Sequence, residues 1–182
     1  KRRLKKALAR IAHLPRNRYL LKYIFNKFRH LFYKFTRSTR VAYPSTIMLE
    51  LTNHCNLACT TCPREYDYGK AMDKGMIRAD QARKIIDELW PYLDSIGLTG
   101  MGETFLYNEI AEIVHYIKAK KKGIIISVST SAQLPGFVEK VSPLVGHIDT
   151  IQVSIDGLGD VYESIRKKAD FKKLDEHLRI LK

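Results

Sequence analysis

Every cysteine in the chain lies in one short stretch, LTNHCNLACTTCPR (51–64), as Cys55, Cys59 and Cys62. Three thiols are an odd number for disulfides and one short of a closed zinc site. The nearest fourth ligand, His54, adjoins Cys55 and has poor geometry for chelating the same ion. A bacterial ferredoxin run uses two-residue spacings and a further cysteine, which this chain lacks. Inert buried cysteines behave as small hydrophobes, but these three share a polar Asn/Thr-rich loop. Three thiolates on a cubane cluster would leave one iron without a protein ligand, an open coordination position for a small molecule.

The elements that must position this loop can be read from hydrophobic period. TIMLELT (46–52), SIGLTG (95–100), IIISVST (124–130) and TIQVSID (150–156) are short, β-rich and mostly apolar, as strands buried on both faces should be. Between them, RADQARKIIDELWPYL places Ala82, Ile85, Ile86 and Leu89 on one helical face, and NEIAEIVHYIKAKKKG does the same for Ile110, Ile113, Val114 and Ile117 before stopping at Gly123. A third helix is expected within PGFVEKVSPLV and a fourth in FKKLDEHLRILK. Strict alternation of strand and helix implies α/β architecture, with a parallel sheet and right-handed crossovers. The cysteine loop follows the first strand, GMGE the second, TSA the third and SIDG the fourth. All four clusters fall at carboxyl ends of strands, the edge that carries the ligand site in parallel α/β folds.

Charge divides the chain in two. Residues 1–40 contain 14 Lys or Arg and no acidic residue, so they account for the whole net charge of +13 and leave the remainder at −1. The predicted organisation is a basic helical extension over residues 1–44 and a core over residues 45–182. In the extension, Leu4, Leu8 and Ile11 share one helical face, and Leu21, Ile24, Phe25, Phe28, Phe32 and Phe35 form a broader stripe after Pro15. Basic residues and Tyr19, Tyr23 and Tyr33 surround it, which suits peripheral binding to an anionic membrane. Packing of the stripe against the core or against a missing part of the protein is the competing expectation, and RNA binding and a transit peptide are lesser ones. No apolar run approaches the length a bilayer needs, and the basic start lacks a secretory signal's apolar core. The expected location is therefore cytoplasmic, with peripheral membrane attachment. There, clustered cysteines serve as metal ligands or catalytic groups more often than as disulfides.

The motifs together resemble the radical S-adenosylmethionine (SAM) superfamily, whose signature is Cys55-x3-Cys59-x2-Cys62 after a first strand. TGMGETFLYNEIAEIVHYIKAKKKGIIISVSTSA resembles that family's GxGEP turn, helix and TNG-ended strand, and QVSIDGLGDVYESIR its fourth strand and following loop. CPR and KGMI resemble the branch that carries a C-terminal SPASM extension. The resemblance implies a partial (β/α) barrel. Since the family's barrel has six strands and this chain begins with Lys and ends after the fourth, a piece of a longer protein is expected.

The resemblance also implies roles. Cys55, Cys59 and Cys62 would bind three irons of a [4Fe-4S] cluster, and SAM would chelate the fourth. Gly100, Met101, Gly102 and Glu103 match the turn that meets the SAM amino group, with glycine allowing close backbone approach. Ser154 and Asp156 match positions that contact ribose or the methionine end, and Arg166 could pair with the SAM carboxylate through its planar fork. Thr104, Ser131-Ala132 and Thr61 stand where the family has Pro, Asn-Gly and an aromatic residue. The implied reaction is reductive cleavage of SAM to methionine and a 5′-deoxyadenosyl radical, which takes hydrogen from a peptide or small metabolite. A reducing electron donor would be required. The alternatives are a radical enzyme acting on RNA and a non-catalytic iron–sulfur or zinc module.

Overall fold

Four parallel strands form the sheet: β1 (Thr46–Met48), β3 (Ser95–Leu98), β4 (Ile125–Thr130) and β5 (Thr150–Val153), in the spatial order β1-β3-β4-β5. The computed structural model describes residues 18–181. Leu4, Leu8 and Ile11, assigned to a first amphipathic face, lie outside the described residues. Register is continuous, with Ile47 opposite Ile96, Leu98 opposite Val128 and Val128 opposite Ile151. Each strand leads to the next through helical structure, as parallel pairing demands.

The helices follow the expected apolar spacing. Helix α3 (Ala79–Leu89) begins where the Gln81 side chain accepts a hydrogen bond from the Arg78 N–H, and it stops just before the Trp90-Pro91 pair. Helix α4 (Ile110–Lys120) buries Ile110, Ile113, Val114 and Ile117 against the sheet. The PGFVEKVSPLV segment forms α5 (Phe137–Val141) and then tightens into a 3-10 turn over Ser142–Leu144, where Pro143 removes a donor. Helix α7 (Phe171–Leu181) buries Leu174. Short helices α2 (Asp67–Lys70) and α6 (Asp160–Ile165) complete the core segment.

Burial corrects one expectation. Ile96, Leu98, Ile126 and Val128 are completely or almost completely buried, but the alternate residues Ser95, Gly97, Ser127 and Ser129 are only half-buried. The strands are thus fully buried on one face, because small and polar residues occupy the other. The first strand is also shorter than the expected 46–52. Leu49 N–H still donates to Gly97 O; beyond it the chain leaves β3, and Leu51 and Thr52 turn to the 75–77 segment, where Ile77 N–H donates to Leu51 O and Thr52 bridges Met76. That departure delivers residues 53–62 to the top of the sheet.

Helix α1 (Arg18–Phe35) lies at the opposite end, against segments that precede the strands. Tyr23 donates to Asp94 Oδ1 at 2.7 Å and Lys27 pairs with Asp94 Oδ2 at 2.5 Å. Asn26 exchanges two hydrogen bonds with the Tyr43 backbone, His30 bonds Tyr43 O, and Tyr19 rests on Trp90 at 4.7 Å. The docked face is polar and aromatic. The stripe of Leu21, Ile24, Phe25, Phe28, Phe32 and Phe35 is exposed, so among the described residues it does not pack against the core.

Candidate cofactor site

The three cysteines, the glycine turn and the carboxyl ends of three strands line one cavity of about 260 Å³. Its walls include Cys55, Cys59 and Cys62 from the first loop, Gly100, Met101, Gly102 and Glu103 after β3, Thr130 and Ser131 at the end of β4, Ser154 after β5, and Arg166. Of the residues expected at the site, only Asp156 is absent from this lining. It instead pairs with Arg166 at 2.8 Å.

The cysteine loop is held from two sides. Cys62 N–H donates to Cys59 O, and Leu57 N–H reaches the Cys55 sulfur at 3.5 Å. On the far side, β2 (Ala58–Cys59) pairs antiparallel with β6 (Arg166–Lys167), placing Cys59 opposite Arg166. Arg166 Nη1 stands 3.9 Å from Cys59 Sγ, and Thr60 N–H donates to Ile165 O at 2.8 Å. All three thiols are free. Burial pushes the Cys55 and Cys59 thiols above the usual range, while Arg64 and Arg166 respectively act against that rise. Among the described residues no three His, Cys, Asp or Glu side chains converge where one metal ion could sit. All three thiols border the same cavity, and three thiolates are one ligand short of a closed zinc site.

The glycine turn is also constrained from within the chain. A Cβ at Gly102 would come within 2.3 Å of Thr52 O and 2.5 Å of His54 O. Glycine is therefore required by this chain's own backbone, and the close approach continues in the Glu103 N–H to His54 O bond of 2.8 Å. A Cβ at Gly100 would strike the Glu50 side chain, whose carboxylate accepts from Met101 N–H.

Glu103 is nearly inaccessible and both of its oxygens are engaged. Oε1 accepts from Thr130 Oγ1 at 2.8 Å and Phe105 N at 3.3 Å, and Oε2 accepts from Ser131 N at 2.8 Å and Ser131 Oγ at 2.7 Å. The carboxylate ties the β3 turn to the end of β4. Thr104, in the place of Pro, donates its hydroxyl to Leu98 O and closes the end of β3. Ala132 adopts a left-handed φ of 55°, a conformation that favours glycine. Sequence reading missed Glu50 and Thr99, whose hydroxyl accepts from Ser129 N–H at 3.0 Å. The signal for Glu50 was an acid interrupting an apolar strand.

Arg166 Nε and Asn56 Oδ1 are buried without hydrogen-bond partners. An unpartnered guanidinium N–H on an arginine that lines a cavity with three free thiols and exposed turn backbone provides a donor for an anionic group. The residues present fit an iron–sulfur cluster accompanied by a small carboxylate-bearing ligand.

Comparison with known proteins agrees with this geometry. The sequence model of the Radical SAM superfamily matches residues 49–182. The chain is 30% identical over 115 residues to an S-adenosylmethionine-dependent nucleotide dehydratase of Selenomonas ruminantium, covering 62% of this chain and 39% of that protein. It is 30% identical over 129 residues to the mycofactocin maturase MftC of Mycolicibacterium smegmatis, covering 70% of this chain and 32% of the maturase. The chain therefore spans about a third to two fifths of these relatives. Among solved structures, native anSMEcpe with bound AdoMet superposes with a TM-score of 0.61 at 19% identity, covering 75% of this chain and 40% of that one. The shared fold is a partial (β/α) barrel.

Proposed function

The chain belongs to the radical SAM superfamily, and from that premise we propose that Cys55, Cys59 and Cys62 hold the family's [4Fe-4S] cluster, with SAM taken up in the same cavity. The observation that carries this reading is the convergence of all three cysteines, the Gly100–Glu103 turn, Ser154 and Arg166 on one lining. When bound, the cluster and SAM supply reductive cleavage of SAM and abstraction of a hydrogen atom from substrate.

The chain's own residues bind, orient and brace. Arg166 offers its unpartnered Nε–H to the SAM carboxylate while Asp156 fixes the other end of the guanidinium, so Asp156 acts by positioning. Ser154 supplies a hydroxyl for ribose or the methionine end. Glu103, with both oxygens engaged, acts by holding the turn, which leaves the backbone of Gly100–Gly102 to meet the ligand. Residues 45–182 form the core in this reading, and residues 1–44 its extension.

The substrate is a peptide or a small metabolite, and a reducing partner supplies electrons. The similarity to a maturase and to a nucleotide dehydratase supports this range. CPR and KGMI, with the maturase similarity, favour the SPASM-like branch. Anaerobic reconstitution tests the assignment: about four irons per chain are expected, with visible cluster absorption. Retention of wild-type iron and spectrum by Cys59→Ala would overturn the ligand set.

A further inference from the structure

We propose that the outward face of α1 docks on an anionic membrane surface, leaving the cofactor cavity at the far end of the sheet open to water. Helix α1 is mounted with its polar face inward. Tyr23, Asn26, Lys27 and His30 engage Asp94 and Tyr43, which precede the strands. The opposite face presents Leu21 at 70% exposure, Phe28 at 65% and Phe35 at 89%, with Phe25, Leu31 and Phe32 between them. A contiguous apolar stripe of this kind marks an interaction surface.

Charge identifies the occupant. Residues 1–40 carry 14 Lys or Arg and no acid. Lys22 and Arg29 stand beside the stripe with their cationic groups over the rings of Tyr19 and Tyr33, at 5.9 and 5.5 Å. Apolar residues at the centre with cations and tyrosines at the margin match the layering of a headgroup interface, where long basic side chains reach outward from an inserted apolar face. A second copy of the chain would bring two strongly basic segments together. Among the described residues no helix is long and apolar enough to cross a membrane, so α1 would lie on the surface. The cavity residues follow the carboxyl ends of β3, β4 and β5, whereas α1 contacts segments before the strands.

Co-sedimentation of the full chain with phosphatidylcholine vesicles, with and without phosphatidylserine, tests the proposal. The wild type should pellet with phosphatidylserine-containing vesicles and lose affinity as salt rises. The exposed triple variant Phe25→Glu/Phe28→Glu/Phe32→Glu should bind at least tenfold more weakly, because it withdraws three apolar rings from the interface and adds three charges that anionic headgroups repel. Lys22→Gln and Arg29→Gln should each cost about fivefold. Circular dichroism must show the variants folded, and Lys22→Gln provides a second test should the triple variant misfold. Equal pelleting of variants and wild type overturns the proposal. So does a wild type that ignores anionic vesicles while dimerising through this stripe or binding RNA.

Discussion

Cys59 and Arg166, 107 residues apart, face each other across a two-residue antiparallel ladder, with the guanidinium 3.9 Å from the thiol and paired with Asp156 at 2.8 Å. The ladder fastens the cysteine loop to the segment beyond β5. One arginine thus borders the proposed cluster ligand and the proposed SAM carboxylate site.

Replacing Arg166 with Gln should separate those two roles. All three thiols remain, so iron loading should stay near wild type. SAM affinity, measured by calorimetry on the reconstituted protein, should fall about tenfold or more, because a hydrogen bond to a charged group contributes roughly 1.5–3 kcal/mol. Unchanged affinity would reduce Arg166 to a brace for the loop.

Gly102→Ala should impair the cysteine loop before it impairs SAM binding, since the new Cβ would sit 2.3 Å from Thr52 O and 2.5 Å from His54 O. Lower iron content with preserved far-UV circular dichroism is the expected result. Gly75→Ala is the control, because a Cβ there meets nothing within 4 Å. Full iron loading in Gly102→Ala would show that the 52–54 backbone can yield.

Glu103→Gln should destabilise the fold even without cofactor. The native carboxylate accepts from Thr130, Ser131 and Phe105, and an amide NH2 must confront at least one of those donors. A loss of about 2 kcal/mol is expected in urea unfolding, in the range for an unsatisfied buried group. Equal midpoints for variant and wild type would remove Glu103 as the tie between β3 and β4.

The cysteine spacing and the strand tops were legible because each rests on local order, a short motif or an apolar period. Helix α4 buries all four residues its spacing indicated, and α3 buries Ala82 and Ile86 while Ile85 and Leu89 are half-buried. The Cys59–Arg166 ladder was not legible, because two-residue strands have no period and their partners are remote in sequence. Gly102 lines the cavity as its place in the motif indicates, but its second role, making room for the Thr52–His54 backbone, was not legible; a glycine reports a close approach without naming everything that approaches. Amphipathicity likewise located the apolar stripe of α1 but not its orientation. That was decided by specific polar contacts of Asn26, Lys27 and Tyr23 with Tyr43 and Asp94.

Those contacts give α1 docking a pH dependence. Burial pushes the Asp94 carboxyl upward, but hydrogen bonds from Lys27 and Tyr23, with the Lys27 charge, outweigh it and hold the group below the usual carboxylate range. A depressed carboxyl contributes stability that is complete above its unfolded value, about 3.9, and is lost as pH falls through the folded one. The Asp94 contribution to docking should therefore be complete near neutrality and be lost only below about pH 4. Trp90 is the chain's one tryptophan and its ring lies 4.7 Å from that of Tyr19 on α1, so its fluorescence reports the helix. The wild type should show an acid transition in Trp90 emission that precedes loss of far-UV signal, while Asp94→Asn should show weaker docking at neutral pH and no such separate transition. Identical acid profiles in the two proteins would mean that Asp94 does not control how α1 is held.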